Sequence, residues 1–181
     1  MNPGPFGMAQ TGVPYGYIAL VKDWMQVQGK VSSPKGQHPK RPIEGFNCER
    51  SEVSRRRLWG YAKEKFSTPE KFFKSFFVWN FCPLVFMEES GKNLTPDKLK
   101  KDNSKELFDV CASALSKVID YLDPEYLIGV GKFAEKQFAN NPSAKGRIVN
   151  TILHPSPASP LANKGWAEAA DKKLREIGVI K

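Results

Sequence analysis

Tyr126-Leu127-Ile128-Gly129-Val130-Gly131-Lys132-Phe133, with Arg147-Ile148-Val149-Asn150-Thr151-Ile152-Leu153-His154 further on, is the stretch whose reading decides the fold. Two short β-branched runs bracket residues 132 to about 139, where the spacing predicts a helix, so the segment reads as strand, helix, strand. Gly129-Val130-Gly131-Lys132 is the tight turn between the first strand and that helix. It fits neither nucleotide template: the third glycine of a dinucleotide fingerprint is absent, and Phe133 stands where a P-loop requires Ser or Thr. Outward from this unit, Ser104 to about Leu122 predicts a helix with Leu107, Val110, Cys111, Ala114, Leu115, Val118 and Ile119 on one apolar face, stopped by Asp123-Pro124. Gly165 to Ile177 reads as the closing helix. Towards the start, Phe76 to Asn80 reads as a buried strand ending at Cys82-Pro83, residues 15–27 as a helix, and the chain from Ser51 as another helix, with Ser51 and Ser54 as capping hydroxyls. A Pro/Gly-rich loop runs between those helices through Phe46. Strands alternating with helices predict an α/β fold whose parallel sheet is covered on both faces. Ligands in such sheets bind beyond the carboxyl ends of the strands, where Asn80 and His154 fall.

The composition is that of one globular domain over residues 1–181, large enough to bury a single core. Apolar residues make up 40%, with 12 Phe and 4 Trp, and no apolar run approaches a membrane span. The formal charge of +9 suits a polyanionic partner, because cations placed on phosphates release counterions. On charge alone nucleic acid is one option among several, since charge runs are more often solvated surface. The cluster of Lys35, Lys40 and Arg41 around His38-Pro39 reads as a basic surface loop. The three cysteines, Cys48, Cys82 and Cys111, lie far apart with no Cys-x-x-Cys pair, so they suggest neither zinc nor a redox dithiol and fit a reducing compartment. No charged start followed by an apolar stretch marks a secretory signal.

Two proline-spaced segments at opposite ends carry the chemistry: Met1-Asn2-Pro3-Gly4-Pro5-Phe6-Gly7-Met8 and His154-Pro155-Ser156-Pro157. Proline fixes φ and removes a backbone donor, so such segments are rigid loops that cannot continue a strand or helix, and each presents a polar residue. Together with Val13-Pro14-Tyr15-Gly16, Phe77-Val78-Trp79-Asn80-Phe81-Cys82-Pro83-Leu84 and Asn163-Lys164-Gly165-Trp166, they resemble, in order and spacing, the single-strand-selective monofunctional uracil-DNA glycosylases. The resemblance runs from Met1 nearly to the last residue. It implies a three-layer α/β/α fold around a central, mostly parallel four-stranded sheet.

The resemblance also implies a reaction and a cast of residues. Hydrolysis of the N-glycosidic bond to uracil leaves positive charge on the sugar and negative charge on the base. His154, at a strand end, would donate to the carbonyl oxygen of the leaving base. Asn2 lies where better-known uracil-DNA glycosylases place an aspartate; an amide accepts no proton but can hold a water, so base departure precedes water attack. No lysine nucleophile stands in these motifs, which makes the enzyme monofunctional. Asn80 would pair with N3–H and O4 of uracil, Tyr15 would stack on the flipped base, and Gly4 and Met8 would surround C5, where some members accept 5-hydroxymethyluracil. A flipped base must be replaced in the duplex. Ser156, Pro157, Leu161, Asn163 and Lys164 would contact DNA, with Leu161 as the wedge; the arginine the family places near Ala158 is missing, which argues against strong duplex penetration. The implied partner is single- or double-stranded DNA carrying uracil or oxidised pyrimidines, and the implied protein is a nuclear monomer. No cofactor is expected, and three thiols cannot hold the four-cysteine iron–sulfur cluster of some related families.

Family members carry a strand directly before the Met-Asn-Pro-Gly-Pro motif, which this chain, starting at Met1, is expected to lack. A catalytically weak or inactive DNA-binding form of the same family is therefore the rival expectation.

Overall fold

The computed structural model describes residues 3–181, with backbone alone for 101–103, so Asn2 lies outside the described residues. The described chain divides into two compact units, residues 3–98 and 99–181, each with its own core.

The second unit contains the strand–helix–strand segment. Helix α5 (Lys101–Leu122) buries Cys111, Leu115 and Ile119 at intervals of four, the period of one helix face. Val110, expected on that face, is 62% exposed, because it lies one residue round the helix from Cys111. Asp123 ends α5 in the left-handed region at φ 46°, where a short acidic side chain is tolerated. Its carboxylate accepts from Arg147 Nη1 at 2.8 Å.

Strand β3 (Tyr126–Val130) pairs in parallel with β4 (Ile148–Ile152) in register from Tyr126 against Ile148 to Val130 against Ile152, and α6 (Lys132–Ala139) connects them. Helix α7 (Trp166–Glu176) closes the unit and buries Trp166, Ala170 and Leu174, again at intervals of four. Its first residue is tied down: Trp166 Nε1 donates to the Leu153 carbonyl at 2.6 Å.

The first unit is mostly helical: α1 (Met8–Thr11), α2 (Ile18–Asp23), α3 (Val53–Phe66) and α4 (Pro69–Phe73), then a short antiparallel pair, β1 (Phe86–Met87) with β2 (Asn93–Leu94). Its core is aromatic. The Trp59 ring meets Phe72 edge-on at 5.5 Å and Trp24 at 6.4 Å, and the indoles donate to the carbonyls of Pro14 and Ser67. Helix α4 carries a full start signal, with Thr68 as a hydroxyl cap, Pro69 at the first position and Glu70 in the first turn.

Several expectations need correction here. The first motif is not all loop, because Met8–Thr11 forms one helical turn closed by Gly12 in the left-handed region. The helix expected over 15–27 is only α2, since Tyr15 has φ 53° and Tyr17 is extended. Neither Ser51 nor Ser54 caps α3; Glu52 holds that position without a side-chain cap bond. Residues 76–80, expected as a buried strand, keep a strand's two-residue alternation of exposure with Phe77 and Trp79 exposed, and among the described residues no strand pairs with them. Among the described residues the sheets are two pairs, one antiparallel and one parallel, so the observed class is mixed α/β.

Candidate functional site

In the second unit the proposed groups cluster on the segment that leaves β4. His154 follows Leu153 beyond the carboxyl end of the strand, the side on which ligands bind in parallel sheets. Pro155 is fully buried and lacks an N–H, so the first amide that can turn back on the ring is that of Ser156. It does so, donating to His154 Nδ1 at 3.1 Å. Gly131, at φ 86°, faces the same side chain: a Cβ there would stand 3.0 Å from His154 Cβ. Burial lowers the His154 pKa below its usual 6.5, which keeps the ring neutral.

The loop beyond is braced from within. Ser156 Oγ accepts from the Ala158 amide, and Asn163 Nδ2 donates to the Pro157 carbonyl at 2.9 Å. Pro157, Asn163 and Lys164 are exposed, Ser156 is half-buried, and Leu161 stands 65% exposed at the turn.

In the first unit, Met8 and Asn80 line one pocket of about 320 Å³, in company with Val13, Pro14, Trp59 and Phe77. Asn80 is 5% exposed, and its Oδ1 has no hydrogen-bond partner among the described residues. Leaving such an atom without any partner costs about 1–3 kcal/mol. Gly4 and Tyr15 do not line this pocket. Gly4 is buried against the ion pair of Arg55 and Glu52, and a Cβ on it would lie 2.6 Å from both Arg55 Nη2 and Glu52 Oε1. Tyr15 has its left-handed backbone held between Pro14 and Gly16, and burial of its hydroxyl, opposed by the Arg55 charge, pushes its pKa up to about 12. The phenol therefore stays neutral.

Three supports escaped the sequence reading. Gln10 is buried and spends all its hydrogen-bonding capacity: Nε2 donates to the Pro5 and Pro42 carbonyls, and Oε1 accepts from the Glu44 and Gly45 amides. The Arg55–Glu52 pair, at 2.5 Å, lies beneath the first motif. The Trp166 indole anchors the residue before His154. Only the last had a sequence signal, a tryptophan at the first turn of an amphipathic helix.

Comparison with known proteins agrees with the family resemblance. The model of the Uracil DNA glycosylase superfamily matches residues 1–175. A rat (Rattus norvegicus) protein named single-strand selective monofunctional uracil-DNA glycosylase is 44% identical over 185 residues, covering 99% of this chain and 66% of its own length. Its counterpart from Bos taurus is 43% identical, covering 99% of this chain and 67% of its own. The chain thus spans about two thirds of the length of the curated relatives it matches. The crystal structure of wild-type Pedobacter heparinus SMUG2 aligns with 98% of this chain and 71% of its own at a TM-score of 0.68 and 17% identity, a likeness of fold.

Proposed function

The chain belongs to the uracil-DNA glycosylase superfamily, within it to the single-strand-selective monofunctional family, and from that premise we propose that it hydrolyses the N-glycosidic bond of uracil in DNA. Oxidised pyrimidines such as 5-hydroxymethyluracil are further substrates in this reading. The reaction starts base excision repair in the nucleus.

The observation that carries the proposal is the buried, unpartnered Oδ1 of Asn80. Uracil presents an N3–H donor, which this acceptor fits, whereas cytosine presents a lone pair at N3 and would leave Oδ1 unsatisfied. In the bond-breaking step the C1′–N1 electron pair leaves with the base, and the charge spreads onto O2. With Nδ1 occupied by the Ser156 amide, the neutral His154 ring carries its proton on Nε2 and donates to that developing anion. Water held by Asn2 then adds to the sugar cation at C1′ and releases its proton to solvent. No enzyme nucleophile is consumed, so the product is an abasic site in an intact strand.

In this reading, which for these residues rests on the family resemblance, Tyr15 supplies a neutral aromatic face for the extruded base and Gly4 and Met8 border its C5 edge, although of the three only Met8 lines the pocket with Asn80. Ser156, Pro157, Asn163 and Lys164 hold the backbone of single- or double-stranded DNA, while Leu161 fills the place the base leaves. In this reading the chain acts as a monomer, and the match over residues 1–175 supports reading it as a single domain of that superfamily. It also supports the family's three-layer α/β/α arrangement around a mostly parallel four-stranded sheet, to which β3 and β4 would contribute two strands.

A uracil-containing oligonucleotide, incubated with the protein and split with and without alkali, tests the activity. Alkali-dependent cleavage supports a monofunctional glycosylase. A second reading is a form of the same family that binds DNA with little or no turnover; binding without alkali-labile sites would select it.

A further inference from the structure

Phe6, in the middle of the first motif, carries two guanidinium groups: Cζ of Arg50 is 4.1 Å from the ring centroid and that of Arg41 is 5.2 Å. This arrangement is built. Gln10 donates to the Pro5 carbonyl just before Phe6 and to the Pro42 carbonyl just after Arg41, so one buried amide sets both the ring and the arginine. Arg41 is further fixed by Nε and Nη1 donating to the carbonyls of Gly91 and Lys40. Arg50 is exposed, as are Lys35 and Lys40.

Each cation is attracted by the negative face of the ring. Two like charges on one ring also repel, and among the described residues neither arginine is ion-paired with a carboxylate. An anion beside them removes the repulsion, and a phosphodiester matches the planar guanidinium fork. We infer that Arg41 and Arg50, seated on Phe6, form a phosphodiester-binding site that receives the backbone of a DNA strand at the first motif. This inference rests on the reading of the chain as a DNA glycosylase, and it adds to the contacts on residues 156–164.

The test is the salt dependence of binding to a uracil-free single-stranded oligonucleotide, followed by fluorescence anisotropy. Arg50→Gln and Arg41→Gln should each flatten the slope of log K against log salt by about 0.7, and the double variant by about 1.4. Arg50→Lys keeps the charge and should keep the slope. Lys117→Gln, a neutralised exposed lysine on α5, sets the size of a non-specific effect. Slopes for the single and double arginine variants that match Lys117→Gln, with unfolding midpoints unchanged, would overturn the inference. Phe6→Leu, which keeps the bulk and loses the ring's π face, should weaken low-salt binding if the ring orients the pair. The inference and the activity can fail separately: flattened slopes with no uracil release sink the activity alone, and uracil release with unaltered slopes sinks the phosphate site alone.

Discussion

The Ser156 amide donates to Nδ1 of His154 at 3.1 Å, and this bond sets what the histidine can do. A neutral imidazole has one donor and one acceptor nitrogen, so a ring that accepts at Nδ1 must carry its proton on Nε2. The alternation of His-Pro-Ser-Pro supplies the geometry: neither proline has an amide hydrogen, which leaves Ser156 as the amide within reach. The histidine thus enters the reaction as a neutral donor, a form suited to a developing anion and not to abstracting a proton from water.

The first prediction follows from that tautomer. His154→Ala should lower uracil release by at least about a hundredfold with little change in DNA affinity, because the donor acts chiefly on the departing base. Burial holds the His154 pKa below 6.5, so activity should stay level as pH falls through 6.5 and drop only below the depressed value. Stability follows the same sign: unfolded histidine takes up a proton near 6.5 before the folded one does, so the fold loses this contribution as pH falls from 6.5 through the folded pKa. An acid limb of kcat/KM centred above 6.5 would count against a neutral His154.

Asn80 gives a prediction in which stability and function part company. Its buried Oδ1 has no partner among the described residues, so Asn80→Leu removes a desolvation cost of about 1–3 kcal/mol and should leave the unfolding midpoint equal or higher. Uracil excision should nevertheless collapse. Asn80→Asp should also weaken excision, because an ionised carboxylate repels the uracil carbonyl and offers no donor. Leucine lowering the midpoint markedly would mean that the amide is held by the fold and not reserved for a base.

The β3–α6–β4 unit was legible almost to the residue, because β-branched runs and a helical period admit one reading when glycines punctuate them. Strands of two residues, as in β1 and β2, leave no period to detect, and the alternation at 76–80 is a true strand signal without a paired strand to complete it. The motif residues showed themselves through proline spacing. What orients them was only partly legible: the Ser156 N–H and the Trp166 indole lie in patterned segments, whereas the Gln10 amide is tied to Pro42, Glu44 and Gly45, far away in the sequence. Such bonds depend on tertiary placement, and sequence period carries no trace of them.

The ion pair beneath the first motif should respond asymmetrically to mutation. The Arg55 side chain is 4% exposed and that of Glu52 is 32% exposed, so removing the carboxylate strands a buried cation. Glu52→Ala should cost on the order of 3 kcal/mol, whereas Arg55→Met, which leaves a half-exposed carboxylate and an apolar stem, should cost clearly less. The double change Glu52→Leu with Arg55→Met should recover most of the loss. Chemical unfolding of the four proteins measures this, and equal losses for the two single variants would mean that Arg55 is not effectively buried.

Gly131 offers a way to move the histidine without touching it. Any side chain at φ 86° costs about 1–2 kcal/mol of backbone strain, and at Gly131 the added Cβ would also press within 3.0 Å of His154 Cβ and 3.4 Å of Cδ2. Gly146 has nearly the same backbone, φ 83°, with nothing within 4 Å of where its Cβ would lie. Gly131→Ala and Gly146→Ala should therefore lose similar amounts of stability, but only the first should displace the imidazole by a few tenths of an ångström. Misplacement of a reacting group on that scale is worth about tenfold in turnover. At matched folded concentration, Gly131→Ala should release uracil about tenfold more slowly than Gly146→Ala, with DNA affinity alike. Equal turnover in the two variants would show that His154 tolerates the shift, and the glycine would then be needed for the turn into α6 alone.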